Sequence, residues 1–188
     1  MRPTVNLVLI SVVMLLSAAT GQVSAQGNFY EGKNIRIIVG LAAGGGYDVY
    51  ARMIARHMGK HILGNPAISV ENMTGAGSLV AANYLYKVAK PDVLVISHFI
   101  GGLFLQQLLG KPGIEFDALK FEFIGVPLQD SFVMGVAKSA GITDAEKWIA
   151  SKQVVKFGGI AAGTGSDDVP NILKATIGLP LQVVSGYK

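Results

Sequence analysis

The sequence contains no cysteine and few charged residues, and both absences restrict what the chain can be. Without cysteine among its 188 residues, the protein has no disulfides and must be stabilised by burial alone. Charged side chains make up 15% of the sequence and the formal net charge is +4, whereas hydrophobic residues make up 51%. That charge density is too low for a disordered chain or for a protein that wraps nucleic acid. We therefore expect a globular protein that does not bind nucleic acid.

Long hydrophobic runs are also absent, apart from one near the N-terminus. Residues 7–16 (LVLISVVMLL) are apolar, but this run is shorter than the roughly 20 residues that cross a bilayer. Arg2 precedes the run, and the small residues Val-Ser-Ala end at Ala25, so we predict a signal peptide cleaved before Gln26. The alternative is an uncleaved signal anchor. No later segment approaches 18 consecutive apolar residues, so we expect an exported protein with no membrane span after the signal peptide.

After Gly32, apolar runs of strand length alternate with segments of helical periodicity. This is the pattern of βαβ units, and it predicts an α/β protein with a mostly parallel sheet. Thr143 and Glu146 have the spacing of a capping box at the start of one helix. The predicted strands cover residues 35–39, 67–71, 93–97, 121–126, 132–137, 154–157 and 181–184. The predicted helices cover about 49–58, 78–88, 103–109, 143–150 and 167–177.

We expect the chain to be divided into two lobes. Pro127 and Asp130 separate two of the strand-like runs, and we place the passage into the second lobe there. The last predicted strand lies close to Lys188, although a strand entering a sheet is an unusual place for a domain to finish. We therefore expect a truncated chain with an incomplete second lobe. The predicted parts are residues 1–25 as signal peptide, 26–126 as first lobe and 127–188 as second lobe.

Three predicted strands run directly into turns of glycine and small residues that precede a helix. The turns are residues 42–48 (AAGGGYD), 74–78 (TGAGS) and 162–166 (AGTGS), which we call the first, second and third turns. Glycine lets the backbone approach a ligand, and the first N–H groups of a helix are unpaired and partly positive. Each turn is therefore a potential seat for a carboxylate or phosphate at the carboxyl edge of a sheet. Taken alone, each could equally be a tight βα connection.

The sequence motifs of common enzymes are missing. There is no Walker A Gly-Lys-Ser/Thr and no G-x-S-x-G, and the consecutive glycines 44–46 do not fit G-x-G-x-x-G. His57 and His61 are four residues apart, as zinc ligands can be, but they lack the glutamate of H-E-x-x-H. We therefore predict no enzyme activity, no cofactor and no metal site. Ser97 and His98 lie near the expected ligand edge and either contact a carboxylate or pack in the core.

Several segments, in this order, resemble the TctC-like solute receptors, or Bug family, of tripartite tricarboxylate transporters. The resemblance covers residues 30–188, nearly the whole mature chain. It implies a monomeric, two-lobed periplasmic binding protein in which each lobe is a mostly parallel sheet flanked by helices. Such a protein captures a small carboxylate, for example a di- or tricarboxylate, and delivers it to membrane permease subunits. The segments are IRIIVGLAAGGGYDVYARMIARHM, ISVENMTGAGSLVAANYLYKVAKPD, VKFGGIAAGTGS and VVSGYK.

The resemblance also implies which residues form the ligand site. The first turn would hold a carboxylate through backbone groups and bridging waters, and the other two turns would form facing walls. Asp48 would contact a polar part of the ligand or cap its helix, and Tyr187 would close the site near the interlobe crossing. The implied residues of the turns are Ala43, Gly44, Gly45 and Gly46 in the first, Gly75, Ala76, Gly77 and Ser78 in the second, and Gly163, Thr164 and Ser166 in the third.

The chain departs from the family pattern in two places. Asp167 and Asp168 stand where family members often have a serine and a histidine, and Asp92 with Val93 replaces Asp-Gly-Tyr. Acidic groups beside the site would repel a carboxylate unless they cap the helix or face solvent, and we expect Asp167 to be a cap. Two alternative functions remain: an exported protein that presents its ligand to a signalling partner, and a doubly wound enzyme that acts on a phosphorylated substrate.

The N-terminal sequence predicts a defined processing event. When the full chain is expressed in a Gram-negative bacterium, we expect the mature protein to begin at Gln26, because signal peptidase cleaves after small residues. N-terminal sequencing of the periplasmic fraction checks this. Retention of residues 1–25 in a membrane-bound protein would instead support the signal anchor.

Overall fold

The computed structural model of the chain describes residues 28–129 and 131–187. The predicted signal peptide and its cleavage site before Gln26 lie outside the described residues, as do Asp130 and Lys188. The described part is a mixed α/β structure with parallel sheets flanked by helices, which confirms the predicted fold class and is consistent with part of a two-lobed binding protein. None of its helices is both long enough and apolar enough to cross a membrane.

The first sheet has three parallel strands in the order β2-β1-β3. At its centre, Ile37 of β1 pairs with Val70 of β2 and with Ile96 of β3. Parallel neighbours need crossover connections, and helices supply them here. The strands are β1 (Asn34–Val39), β2 (Ala67–Asn72) and β3 (Val95–His98), and the helices are α1 (Gly46–Met58) and α2 (Leu79–Lys87).

β1 is the most deeply buried strand of this sheet. Its residues Ile35, Ile37, Ile38 and Val39 are each exposed by 3% or less. Because side chains alternate between the two faces of a strand, this continuous burial means that both faces of β1 are covered. The β-branched side chains also favour the extended conformation, so the sequence and its surroundings specify the same structure here.

α1 covers one face of the first sheet. Ala51 is 1% exposed and packs with Ile37 and Val39 in one core cluster. The apolar row that contains Val49 and Met53 lies on the opposite side, where both side chains are about half exposed. The helix predicted near residues 49–58 is therefore confirmed, and its core face is set by the small side chain of Ala51.

A second parallel pair of strands forms its own sheet further along the chain. β4 (Val155–Gly159) pairs with β5 (Leu181–Ser185), and α5 (Gly165–Ile177) is the crossover between them. Trp148, on α4 (Ala145–Ser151), packs with Leu179 and Leu181 in a separate core cluster. Each sheet thus has its own core, while the division of the chain at residue 127 stays a prediction.

A cluster of aromatic rings lies beyond the first sheet. It is centred on α3 (Gly102–Leu108), whose Leu103 is 2% exposed and packs with Ala82 of α2 and with Phe116. Edge-to-face and tilted contacts with ring centroids 5.4–6.4 Å apart join the rings of this cluster. The cluster consists of Tyr86, Phe99, Phe104, Phe116, Phe121 and Phe123.

The strands predicted at residues 121–126 and 132–137 are wrong within the described residues. Neither run pairs with another strand, and Val126 and Val133 are more than 80% exposed. Alternating apolar residues still act in packing, because Met134 and Val136 contact the cluster around Trp148. The apolar residues of these runs therefore take part in packing but not in a hydrogen-bonded ladder, which requires a partner strand.

Two local predictions are also corrected. The N-cap of α4 is Asp144, whose Oδ1 accepts a hydrogen bond from the N–H of Lys147 at 3.0 Å, so Thr143 and Glu146 do not form the predicted capping box. The third strand begins at Val95 instead of Val93, because Val93 has a φ of 58° and belongs to the preceding turn. The other predicted helices and strands are confirmed with small shifts at their ends.

The burial of β1 leads to a stability prediction. We expect Ile38→Ala to lower the free energy of unfolding by about 2–5 kcal/mol, because Ile38 is fully buried and its removal leaves a cavity. Urea unfolding followed by circular dichroism measures the loss. Leu119→Ala is the control: this side chain is 94% exposed, and the change should stay within about 0.5 kcal/mol. Equal losses in the two variants would contradict the assigned core.

Candidate functional site

The first and second turns follow adjacent parallel strands and therefore lie at the same edge of the first sheet. Asn72, the last residue of β2, ties this edge together. Its Nδ2 donates to the carbonyl of Leu41 at 2.9 Å and to Oδ1 of Asp48 at 3.0 Å. Its Oδ1 accepts from Arg52 at 3.2 Å. The end of β2 is thus bonded both to the first turn and to the helix that follows it.

Asp48 is the central acceptor of this network. Its side chain is buried, and its Oδ2 accepts from the N–H of Gly44 at 2.8 Å and from Nε of Arg52 at 2.9 Å. The hydrogen bond from Arg52, and next that from Gly44, hold the pKa of Asp48 well below its usual range. The buried carboxylate of Asp48 therefore holds the N–H of Gly44, in the first turn, and the side chain of Arg52, on α1, together. A contact between Asp48 and a ligand stays a prediction.

The first turn presents its backbone at the surface. Ala43, Gly44, Gly45 and Gly46 are all exposed. Gly44 has a φ of 81°, which favours glycine, whereas Gly45 has extended backbone angles and is the N-cap of α1 without any side-chain cap. The first N–H groups of a helix have no intrahelical acceptor, but the N–H of Gly44 donates to Asp48 and that of Gly45 to the carbonyl of Ala42 at 3.3 Å. The use of this turn as an anion seat stays a prediction.

Ser97 and His98 make internal contacts at the end of β3. Ser97 Oγ donates to the carbonyl of Ile38 at 3.4 Å. With its proton on Nδ1, His98 donates to the carbonyl of Tyr47 at 3.2 Å, and the two rings lie 4.6 Å apart. Burial lowers the pKa of His98, partly opposed by this hydrogen bond. The contact of His98 attaches the end of β3 to the start of α1, which agrees with the alternative that these two residues pack in the core. A contact of Ser97 or His98 with a ligand stays a prediction.

The second turn packs closely against Gly40, which lies between β1 and the first turn. Gly75 has a φ of 143° and Gly77 a φ of 59°, so both occupy conformations that favour glycine. Ser78 is fully buried, and its Oγ accepts from the N–H of Ile100 at 2.9 Å. A Cβ added to Gly40, directly after β1, would lie 3.0 Å from Cα of Ser78. The backbone after β1 and the second turn are therefore in direct contact.

The hydroxyl groups of the third turn are engaged within the turn. Thr164 is 3% exposed, and its Oγ1 donates to the carbonyl of Ala161 at 2.7 Å. Ser166 Oγ lies 2.9 Å from that hydroxyl and accepts from the N–H of Ile160 at 3.2 Å. These bonds make the turn rigid. A ligand at this turn would meet backbone groups and the partly exposed Ser166 more readily than the buried Thr164.

Asp167 is not the cap of its helix, so that prediction is wrong. The N-cap of α5 is Thr164, without a side-chain cap, and Asp167 is buried in the first turn of the helix. Its Oδ1 accepts from the hydroxyl of Ser185, which links the helix to β5. Its Oδ2 lies 3.1 Å from Oγ1 of Thr164, whose single hydroxyl proton is directed at the closer carbonyl of Ala161. Asp168 instead bonds to the backbone just before the helix, because its Oδ1 accepts from the N–H of Gly163 at 3.2 Å.

The second and third turns meet, although they follow strands of different sheets. A Cβ added to Gly77 would lie 3.0 Å from Cβ of Ala161 and 3.6 Å from Cγ2 of Thr164. Beside this contact is a cleft of about 300 Å³. Ala76 from the second turn and Ala161 with Ala162 at the third contribute to its lining, whereas the first turn does not. The second turn therefore contacts the third turn and also Gly40, which precedes the first turn. Of the three turns, the second and third line the cleft.

Tyr187 lies at the end of β5, beside β4. Its N–H donates to the carbonyl of Gly159 at 3.0 Å, and a Cβ added to Gly158 would lie 3.3 Å from the tyrosine ring. The side chain is 61% exposed. The lack of a side chain at Gly158 provides the space for this ring. Closure of a ligand site by Tyr187 stays a prediction.

Sequence reasoning missed Gln106, which lines the cleft and is 5% exposed. The feature of the sequence that could have identified it is the pair of amide residues, Gln106 and Gln107, in an otherwise apolar short helix. The predicted absence of a metal site stays a prediction. His57 and His61 are both exposed, and within residues 28–129 and 131–187 no group of three His, Asp or Glu side chains is arranged to hold a metal ion.

Comparison with known proteins gives limited support to the sequence resemblance. The chain matches no protein-family model. Over 77 residues it is 38% identical to the UPF0065 protein in the gbd 5′ region of Cupriavidus necator. This match covers 41% of the chain and 23% of that protein, so the chain spans less than a quarter of the length of this curated relative. UPF0065 is the family of Bug and TctC-like proteins.

The network around Asp48 generates a pH-dependent prediction. We expect Asp48→Asn to lower the urea midpoint of unfolding at pH 7, because the ion pair with Arg52 is lost. The pKa of Asp48 is lower in the folded than in the unfolded protein, so its stabilising effect is complete above about pH 4–5 and declines as the pH falls further. The difference between wild type and variant should therefore shrink below about pH 4.

Urea unfolding at several pH values from 7 to 3 measures this difference. Glu146→Gln is the control, because Glu146 is exposed on α4 and should change the midpoint little at any pH. A constant difference between Asp48→Asn and wild type over the whole range would rule out the charge of Asp48 as the cause.

Proposed function

We propose that the chain is a periplasmic solute-binding receptor, or part of one, that captures a small organic carboxylate for a tripartite tricarboxylate-type transporter. The observation that carries this proposal is the meeting of the second and third turns beside a cleft, although they follow strands of two separate sheets. Ligand sites in α/β proteins occur at the carboxyl ends of parallel strands and between domains. The 77-residue similarity to a UPF0065 protein supports the same function.

The recognition chemistry of this receptor is based on neutral groups. The first turn places Gly46 at the start of α1, where the helix dipole favours an anion. Asp48 and Asp167 are held by internal hydrogen bonds, so both are engaged with the protein itself. Neutral donors bind a carboxylate without a salt bridge, which keeps the desolvation cost moderate and allows release. A transport receptor requires such release.

Closure of the two lobes is the proposed link to transport. The second and third turns are in contact beside the cleft, so a relative movement of the lobes would open or close it. A ligand bound at the first sheet would stabilise the closed state by the free energy of the additional contacts that it makes with the third turn. The permease subunits would then bind the closed form.

Calorimetric titration with a panel of mono-, di- and tricarboxylates tests this function. We expect saturable binding of at least one acid and a weakening of at least tenfold in Gly46→Leu, because the new side chain obstructs the first turn. Gly46 suits this test: a Cβ there would meet no atom within 4 Å, so the fold should tolerate the substitution.

Gly125→Leu is the matched control. A Cβ at Gly125 also meets no atom within 4 Å, and this glycine belongs to none of the three turns. Its variant should bind like the wild type, and both variants should unfold at temperatures close to that of the wild type. Unchanged affinity in Gly46→Leu would mean that the first turn is not part of the site. The absence of binding by every acid would contradict the proposed function.

A further inference from the structure

The cleft beside the second and third turns is formed by segments that are far apart in the chain. Leu79, at the start of α2, lies against the loop after α3, since a Cβ added to Gly113 would be 3.6 Å from its Cδ2. Leu103 of α3 lies against the third turn, since a Cβ at Gly163 would be 3.6 Å from its Cδ2. The turns contribute three alanines to the lining: Ala76, Ala161 and Ala162. Because these side chains are small, about 300 Å³ stays open between the segments.

The surface of this cleft is mainly apolar. Of the residues that line it, Gln106 and Lys111 are polar. The amide of Gln106 is directed at the protein, because its Oε1 is fully buried and its Nε2 donates to Oδ2 of Asp168 at 3.4 Å. The larger apolar side chains of the lining are Leu79, Leu103, Pro112 and Ile114. A ligand in the cleft therefore meets chiefly carbon atoms.

Backbone groups of the third turn are also engaged within the protein. The N–H of Gly163 donates to Oδ1 of Asp168 at 3.2 Å, and the N–H of Thr164 donates to the carbonyl three residues earlier at 3.0 Å. The ring of Phe132 lies against Gly165 at the start of α5, where an added Cβ would overlap it. A carboxylate that enters the cleft would therefore find these N–H groups already bonded and an aromatic ring beside the helix start.

The charges beside the cleft do not favour a second negative group. Lys111 brings one positive charge to the lining, and Asp168, which is bonded to Gln106, brings one negative charge close to it. The two charges offset each other, so a carboxylate moved into the cleft loses hydration without a net attraction in return. An apolar group of the same size has no hydration of this kind to lose, and its burial is favourable.

We propose that this cleft holds the apolar body of a monocarboxylate, so that the receptor prefers acids with one carboxylate and a compact apolar end to dicarboxylates of the same size. This inference rests on the proposed function, because it specifies the class of carboxylate that the receptor accepts. The volume of about 300 Å³ equals that of roughly ten water molecules, which suits a ligand with about ten non-hydrogen atoms. The carboxylate of such a ligand stays outside the apolar surface.

Matched pairs of acids test the inference with the wild-type full chain. In each pair, one carboxylate of a dicarboxylate is replaced by an isopropyl group, which has the same number of non-hydrogen atoms. The pairs are succinate with 4-methylpentanoate, and glutarate with 5-methylhexanoate. We expect the monocarboxylate of a bound pair to bind about tenfold more tightly, because its methyl groups are buried and no second carboxylate is desolvated. Calorimetric titration gives both affinities.

Ile114→Ala tests whether the cleft is the origin of the preference. Ile114 lines the cleft and is half-buried, so the truncation removes apolar contact with the ligand. This variant should bind the monocarboxylate about fivefold more weakly and the dicarboxylate with little change. Ile114→Val removes less of the side chain and should cause a smaller shift in the same direction.

Ile142→Ala is the matched control. Ile142 is also half-buried, but it packs in the cluster around Trp148 and is not part of the lining of the cleft. The same truncation there should lower the unfolding temperature while leaving the preference for the monocarboxylate intact. Thermal unfolding of all variants confirms that each is folded under the conditions of the titration.

The possible results separate this inference from the proposed function. Equal or tighter binding of the dicarboxylates by the wild type overturns the inference alone. If Lys111→Met then abolishes that binding, Lys111 is the partner of the second carboxylate, which also contradicts the inference. A monocarboxylate preference that persists unchanged in Ile114→Ala overturns it as well, because the apolar body then lies elsewhere.

Two further outcomes complete the test. Failure of every carboxylate to bind overturns the proposed function and the inference with it. A monocarboxylate preference that is reduced in Ile114→Ala, but not in Ile142→Ala, supports the inference.

Discussion

The parallel pairing of β1 with both of its neighbours is the constraint on which the rest of the structure depends. Because all three strands run in the same direction, the first turn, the second turn and His98 reach one edge of the sheet. Parallel pairing also requires helical crossovers, which cover both faces of β1 and exclude water from it. One arrangement of strands thus produces both the core and the edge at which these turns lie.

Polar side chains at this edge mostly stabilise the protein itself. Asp48, Asn72 and Arg52 bond to one another and to the first turn, and the hydroxyl groups of Thr164 and Ser166 bond within the third turn. Such internal networks hold the turns in place, and they also engage backbone N–H groups such as those of Gly44 and Gly163. Gln106 is the contrast, because its amide is oriented by Asp168 while its oxygen lacks a partner among the described residues.

Much of the fold was predictable because local and tertiary preferences agree. The β-branched run of β1 and the glycine turns are specified by short segments of sequence. Predictions were wrong where the outcome depends on a distant partner. Residues 121–126 have the composition of a strand but find no neighbouring strand in the described structure. Asp167 has the position expected of a cap, but its carboxylate bonds instead to Ser185, which is 18 residues away.

The sequence by itself determined the α/β class, the alternation of strands and helices and the position of the three glycine turns, because backbone propensity and hydrophobic period are local properties. Only the tertiary structure decided which turns meet, that Asp48 faces inward and that Gln106 lines a cleft. These outcomes depend on contacts between segments far apart in the chain, such as Gly77 with Ala161. Such contacts follow from how whole sheets and helices pack, which no single segment encodes.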